Sequence, residues 1–266
     1  MKRRWPVAAV AFIVAGLLAA SHAPAQDAEG SHRYVSPWKT PWDYAGPRGS
    51  AHWSELDPAY AACDGKEQSP VDIRNTEKAA LPALRFDYHS SSIQYVINNG
   101  HTIRVNYYAP GSGDFLIFEG MRYQLTQFHF HRPSEELVNG RPYDMVLHLM
   151  HETSGGKAAG VTVFLKAGKE NPAIQALWDH MPSTEGQNFV GALQLNPMDL
   201  LPRDTAAYYM YSGSVTAPPC TEGVTWFVLK KPITVSPAQI SAFAKLYPDD
   251  VRPPQPLNGR VVKESR

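Results

Sequence analysis

The stretch QFHFHRPSEE, Gln127 to Glu136, puts two histidines one residue apart and then two adjacent glutamates. Side chains alternate across a β-strand, so Gln127, His129 and His131 share one face while Phe128 and Phe130 point to the other. An imidazole pair with a phenylalanine core behind it is either a two-ligand metal face or a buried strand that contains histidine. The rest of the chain has to decide between them.

Outward from this stretch, short runs rich in β-branched and aromatic residues are separated by turn signals. They are SIQYVINNG, HTIRVNYYAPGSG, DFLIFEG, MRYQLTQFHFH, MVLHLMHE, VTVFLKAG and VTWFVLKKPITV, with APGSGD and VNGRPYD as tight connections. Helical spacing is confined to Asn171–His180 and Ser236–Leu246, the second opened by a Ser-Pro pair suited to an N-cap and first turn. The fold class read from these runs is mainly β with a few short surface helices.

In MVLHLMH, Val146, His148 and Met150 face one way and Leu147, Leu149 and His151 the other. If this strand pairs antiparallel with MRYQLTQFHFH through VNGRPYD, His148 comes beside the other two histidines. Three neutral nitrogen ligands with an open fourth position form the donor set of a catalytic zinc. A second reading stays open at this point. HFHRPSE also fits the HxHxxxE of cupins, in which Glu135 would join the metal, although the second cupin block does not follow His148. His52, His89, His151 and His180 read as surface or satisfied core residues.

The N-terminus MKRRWPVAAVAFIVAGLLAASHAPAQ has a basic start, an apolar run from Val7 to Ala20, and small residues at Ala23 and Ala25. That is the pattern of a secretory signal peptide over residues 1–25, too short to span a bilayer. The expected location is periplasmic or secreted. Removal leaves 241 of the 266 residues, with 22 basic and 25 acidic side chains. Such a chain suits one large domain and argues against nucleic acid as a partner. Residues 26–37 read as a flexible lead-in and 38–266 as the domain. In an exported chain the two cysteines, Cys63 and Cys220, most simply form a disulfide, with two buried thiols as the alternative.

Four blocks, HWSELDPAYAACDGKEQSPVDI, NNGH, QFHFHRPSEE and YSGSVTAPPCTEGVTWFVLKKPITV, stand in an order that resembles the α-class carbonic anhydrases. The resemblance runs from about Trp42 to Arg260. It implies a single domain on a large twisted, mostly antiparallel central sheet, and zinc-dependent reversible hydration of carbon dioxide to bicarbonate. It implies zinc ligands at His129, His131 and His148, with Gln127 behind a ligand. Thr216 matches the threonine that accepts from the zinc-bound hydroxide, and Glu135 the glutamate that orients it. His101 matches the proton shuttle, Tyr44 and Asn99 the water network, and Val215 and Trp226 the apolar substrate pocket. Cys63 and Cys220 match the disulfide of exported members. Inhibition by anions and sulfonamides, no membrane span, and a monomer or homodimer complete the implied picture.

The chain also departs from that pattern. Well-known members place a glutamate two residues before the third histidine, where this chain has Val146, and a histidine where it has Glu136. Glu136 is therefore the expected substitute acceptor for His148. Met150 and Gly160 take pocket positions usually held by valine, Ala217 follows the threonine, and Arg104 stands at a cleft-mouth position that is usually neutral.

Overall fold

A computed structural model of the chain describes residues 36–107 and 113–265. The signal-peptide expectation and nearly all of the lead-in lie outside the described residues. A 12-stranded sheet dominates. Its main path runs Asn188–Leu195, Ser91–Asn98, Ile103–Asn106, Met121–His131, Met145–Glu152, Ala158–Ala167, Glu222–Val235, Tyr208–Ser214, Lys263–Ser265, Glu77–Ala79. Pairing is antiparallel except between Ala158–Ala167 and Glu222–Val235 and between the last two strands. The mainly β, mostly antiparallel expectation holds.

The strands Met121–His131 and Met145–Glu152 pair antiparallel, with His129 directly opposite His148. Between them the chain makes a tight turn in which Asn139 and Gly140 take φ of 52° and 77°. Asparagine and glycine tolerate that left-handed backbone, which explains the Asn-Gly at this bend.

Strand alternation sorts the sheet into two faces. Val105, Phe128, Leu149, Val161 and Phe227 follow one another in register across five strands, and all are buried in the main core cluster. On the other face one row reads Arg104, His129, His148, Thr162, Val228, and the next reads Asn106, Gln127, Met150, Gly160, Trp226. The polar ends of both rows make the site, and their apolar ends join a second cluster with Val146, Phe164 and Tyr211.

Both expected helices form, over Pro172–Trp178 and Pro237–Ala244. Asn171 caps the first through the Ile174 amide, and Ser236 and Gln239 form a reciprocal capping box on the second. The short strands Glu77–Ala79 and Lys263–Ser265, and the edge strand Asn188–Leu195, are not legible as strands from their own sequences. Short polar segments acquire strand geometry from neighbours that need hydrogen-bond partners, not from β-propensity.

Candidate metal centre

His129, His131 and His148 converge so that one ligand atom from each lies within 4.8 Å of the others. Each ring is held by its second nitrogen. His129 Nδ1 donates to Gln127 Oε1 at 2.9 Å, and His131 Nδ1 donates to the Asp250 carbonyl at 2.7 Å. His148 Nε2 lies 3.0 Å from Glu136 Oε2. That leaves His131 Nε2 and His148 Nδ1 buried without hydrogen-bond partners. Orphaned buried nitrogens are costly unless something coordinates them, so the three residues fit a metal ion.

Burial, together with His131, His148 and Arg104, holds the His129 imidazole well below its ordinary pKa. Burial acts the same way on His131, but Glu135 and Asp250 outweigh it and push that ring up to about 9. Burial alone would raise Glu136, yet His148 and the hydrogen bonds from His148 and Thr162 bring it below the usual carboxylate range. Thr162 Oγ1 donates to Glu136 Oε1 at 3.1 Å, so both carboxylate oxygens are engaged inside the protein. Val146 is wholly buried and packs into the apolar cluster.

Glu135 is buried beside this centre. Its Oε1 accepts from the Arg252 amide at 2.9 Å, while Oε2 makes no hydrogen bond, the Thr216 hydroxyl included. That oxygen lies 3.4 Å from His131 Nε2 and 3.7 Å from His148 Nδ1. Glu135 is nevertheless not one of the three converging ligands. Arg252 also donates to the carbonyls of Ser69 and Cys63 and to Gln68, which ties Glu135 to the N-terminal part of the domain.

A cleft opens onto His129 and His131. Its walls include Tyr44, Asn99, His101, Val215, Thr216 and Ala217. His101 stacks on Trp42 with ring centres 3.7 Å apart, its Nε2 bonds the Trp42 carbonyl at 2.8 Å, and burial lowers its pKa. Asn99 Oδ1 accepts from the amides of His101 and Thr102, so it shapes the turn that carries His101. Of the four apolar pocket residues expected, Val215 is on the cleft wall, whereas Trp226, Gly160 and Met150 are not. A Cβ on Gly160 would meet the Trp226 ring at 2.5 Å, so the missing side chain there makes room for tryptophan.

Cys63 and Cys220 are joined as a disulfide, Cα–Cα 4.9 Å, packed with Trp42, Trp53 and Tyr60. The free-thiol alternative is thereby excluded. Cys220 follows Thr216 in a tight loop in which its amide bonds the Ala217 carbonyl. Asp250, Arg252 and Thr162 went unnoticed in the sequence. The first two lie in an aperiodic charged segment with no local signal. Thr162 did carry one, being a hydroxyl on the ligand face of an otherwise apolar strand. His151 bonds the Tyr88 hydroxyl through Nε2 while its buried Nδ1 has no partner, and His180 stacks on Phe189; neither joins the metal centre.

The family model of eukaryotic-type carbonic anhydrases matches residues 48–266. A carbonic anhydrase from Neisseria gonorrhoeae is 40% identical over 258 residues, covering 95% of this chain and 96% of its own. The α-carbonic anhydrase of Thermovibrio ammonificans, solved with the inhibitor sulfanilamide, superposes with a TM-score of 0.80 at 42% identity, over 85% of this chain and 99% of its own. A dioscorin complexed with ascorbate superposes at 0.78 with 32% identity, over 84% and 97%.

Proposed function

The chain belongs to the eukaryotic-type carbonic anhydrase family, and we propose that it catalyses zinc-dependent, reversible hydration of carbon dioxide to bicarbonate and a proton. The observation that carries this reading is the convergence of three imidazoles whose far nitrogens are all engaged, beside a cleft. His129, His131 and His148 would hold zinc, which would supply a Lewis acid able to lower the pKa of water from 15.7 to about 7, the familiar value for carbonic anhydrase itself.

The remaining residues orient, exclude and relay. Glu135 Oε2, buried and without a partner, accepts the Thr216 hydroxyl hydrogen once that hydroxyl turns toward it in the working site. Once that hydrogen is committed, Thr216 Oγ1 faces the reacting oxygen as an acceptor and aims its lone pair at the substrate carbon. Carbon dioxide carries no charge to grip, so Val215 and Ala217 hold it by apolar contact. The product proton leaves by way of His101, whose buried Nδ1 has no partner, although burial lowers the pKa of this imidazole in the closed position it takes against Trp42. Direct release from a group of pKa about 7 is limited to roughly 10³ s⁻¹, against about 10⁶ s⁻¹ for carbonic anhydrase. Glu136 takes over the acceptor role that Val146 cannot fill.

Export with removal of residues 1–25 accounts for the N-terminal pattern and is compatible with the disulfide. The sulfanilamide complex of the Thermovibrio relative supports sulfonamide inhibition here, and anions should compete for the same position. Stopped-flow hydration by protein beginning at Gln26, with metal analysis and a chelator arm, tests the reading. Activity that follows zinc supports it, and fully zinc-loaded protein without hydration above buffer overturns it. Glu135→Gln separates the cupin-like alternative, since loss of turnover with zinc retained is expected, and loss of zinc would place Glu135 on the metal.

A further inference from the structure

We infer that Arg104 is a docking residue for small anions entering or leaving the cleft, bicarbonate first among them, a reading that rests on the reaction proposed above. The register places Arg104 directly opposite His129 on the ligand face of the sheet, one strand away. Its side chain is half-buried and lines the cleft together with His129 and Thr216. Nε donates to Asn106 Oδ1 at 2.8 Å, which fixes the plane of the guanidinium.

Charge in this region is segregated. None of the residues lining the cleft is Asp or Glu. The carboxylates of Glu135, Glu136 and Asp250 are buried, at 1%, 0% and 2% exposure, Glu136 and Asp250 on the far side of their histidines and Glu135 below the metal-facing nitrogens. An anion in the cleft therefore meets a permanent planar cation in a wall that itself carries no carboxylate. The forked N–H groups of arginine match the oxygens of bicarbonate, whereas uncharged carbon dioxide gains nothing from them. Arg104 thus acts on the charged partner of the reaction and on anionic competitors. Because the overall equilibrium is fixed, any change in kcat/KM for bicarbonate appears equally in kcat/KM for carbon dioxide, so binding is the direct readout.

Titration calorimetry of the zinc-loaded enzyme with thiocyanate at low ionic strength, on wild type, Arg104→Gln and Arg104→Lys, tests the inference. Glutamine should weaken thiocyanate about three- to fivefold, the upper scale of a partly exposed ion pair, and lysine, which keeps the charge that this ion reads, should stay within about twofold. Added inert salt should narrow the gap. Phenol, a neutral probe, should bind all three proteins alike. Unchanged thiocyanate affinity in Arg104→Gln, or an equal loss of phenol, overturns the inference, since the residue would then only shape the cleft. If wild type binds thiocyanate through Arg104 but hydrates no carbon dioxide, the reaction reading fails and anion docking stands.

Discussion

Two strands supply the metal ligands, and they secure them by different means. On Met121–His131, His129 rests on Gln127, two residues earlier, and His131 rests on a backbone carbonyl 119 residues away. On Met145–Glu152, His148 meets a buried carboxylate from a residue 12 positions earlier. The three acceptors are a neutral amide, a neutral carbonyl and an anion, so the rings differ in basicity and in how firmly they are aimed. The two histidines on one strand also differ from each other, since burial and cationic neighbours lower His129 while Glu135 and Asp250 raise His131 to about 9. Proximity in sequence has not made them equivalent.

The largest expected effect tests that last difference. A ring with a raised pKa holds a proton that metal must displace, so affinity rises with pH up to about 9 and then levels. The expected slope is about tenfold per pH unit from pH 7 to 9, measured by chelator competition. A flat profile would show that the acidic neighbours do not hold a proton on His131. Next in size, Glu136→Gln should lower zinc affinity about 10- to 100-fold, and an unchanged affinity would remove any special standing of the carboxylate-backed ligand.

Gly160→Val, which drives a side chain into the Trp226 ring, should destabilise the fold by about 1–3 kcal/mol in denaturant titrations. Wild-type stability would mean that the tryptophan moves freely. Gln127→Leu should cost less zinc affinity than Glu136→Gln, because the lost acceptor is neutral and only half-buried. Asp250→Asn should cost least, since the carbonyl that holds His131 belongs to the backbone and survives the change. A reversal of those last two would shift the weight from the carbonyl to the Asp250 side chain, whose Oδ2 lies 3.6 Å from His131 Nδ1.

Gln127, His129 and His131 were legible as one face because a period of two needs no tertiary information. His148 was legible through the Asn-Gly turn and the alternation of MVLHLMH, which set the register once the strands pair. Resemblance, not periodicity, brought Thr216, Glu135 and His101 forward. Asp250 and Arg252 stayed hidden because a buried charged residue in an aperiodic segment looks like any surface charge until its partners are known. The pocket assignments of Trp226 and Gly160 missed their relation, which is a packing contact between paired strands.

By itself the amino-acid sequence determined which residues share a face and which segments become strands, because backbone alternation and turn chemistry are local. It also put two histidines on one strand face and a third on the next strand, which with the resemblance named the donor set. Only the tertiary structure decided what stands behind His131. Gln127 and Glu136 were open to expectation from the sequence, but hydrogen-bond acceptors for imidazole are abundant in any chain, and selecting the carbonyl of Asp250, 119 residues away, required the chain to close around the sheet.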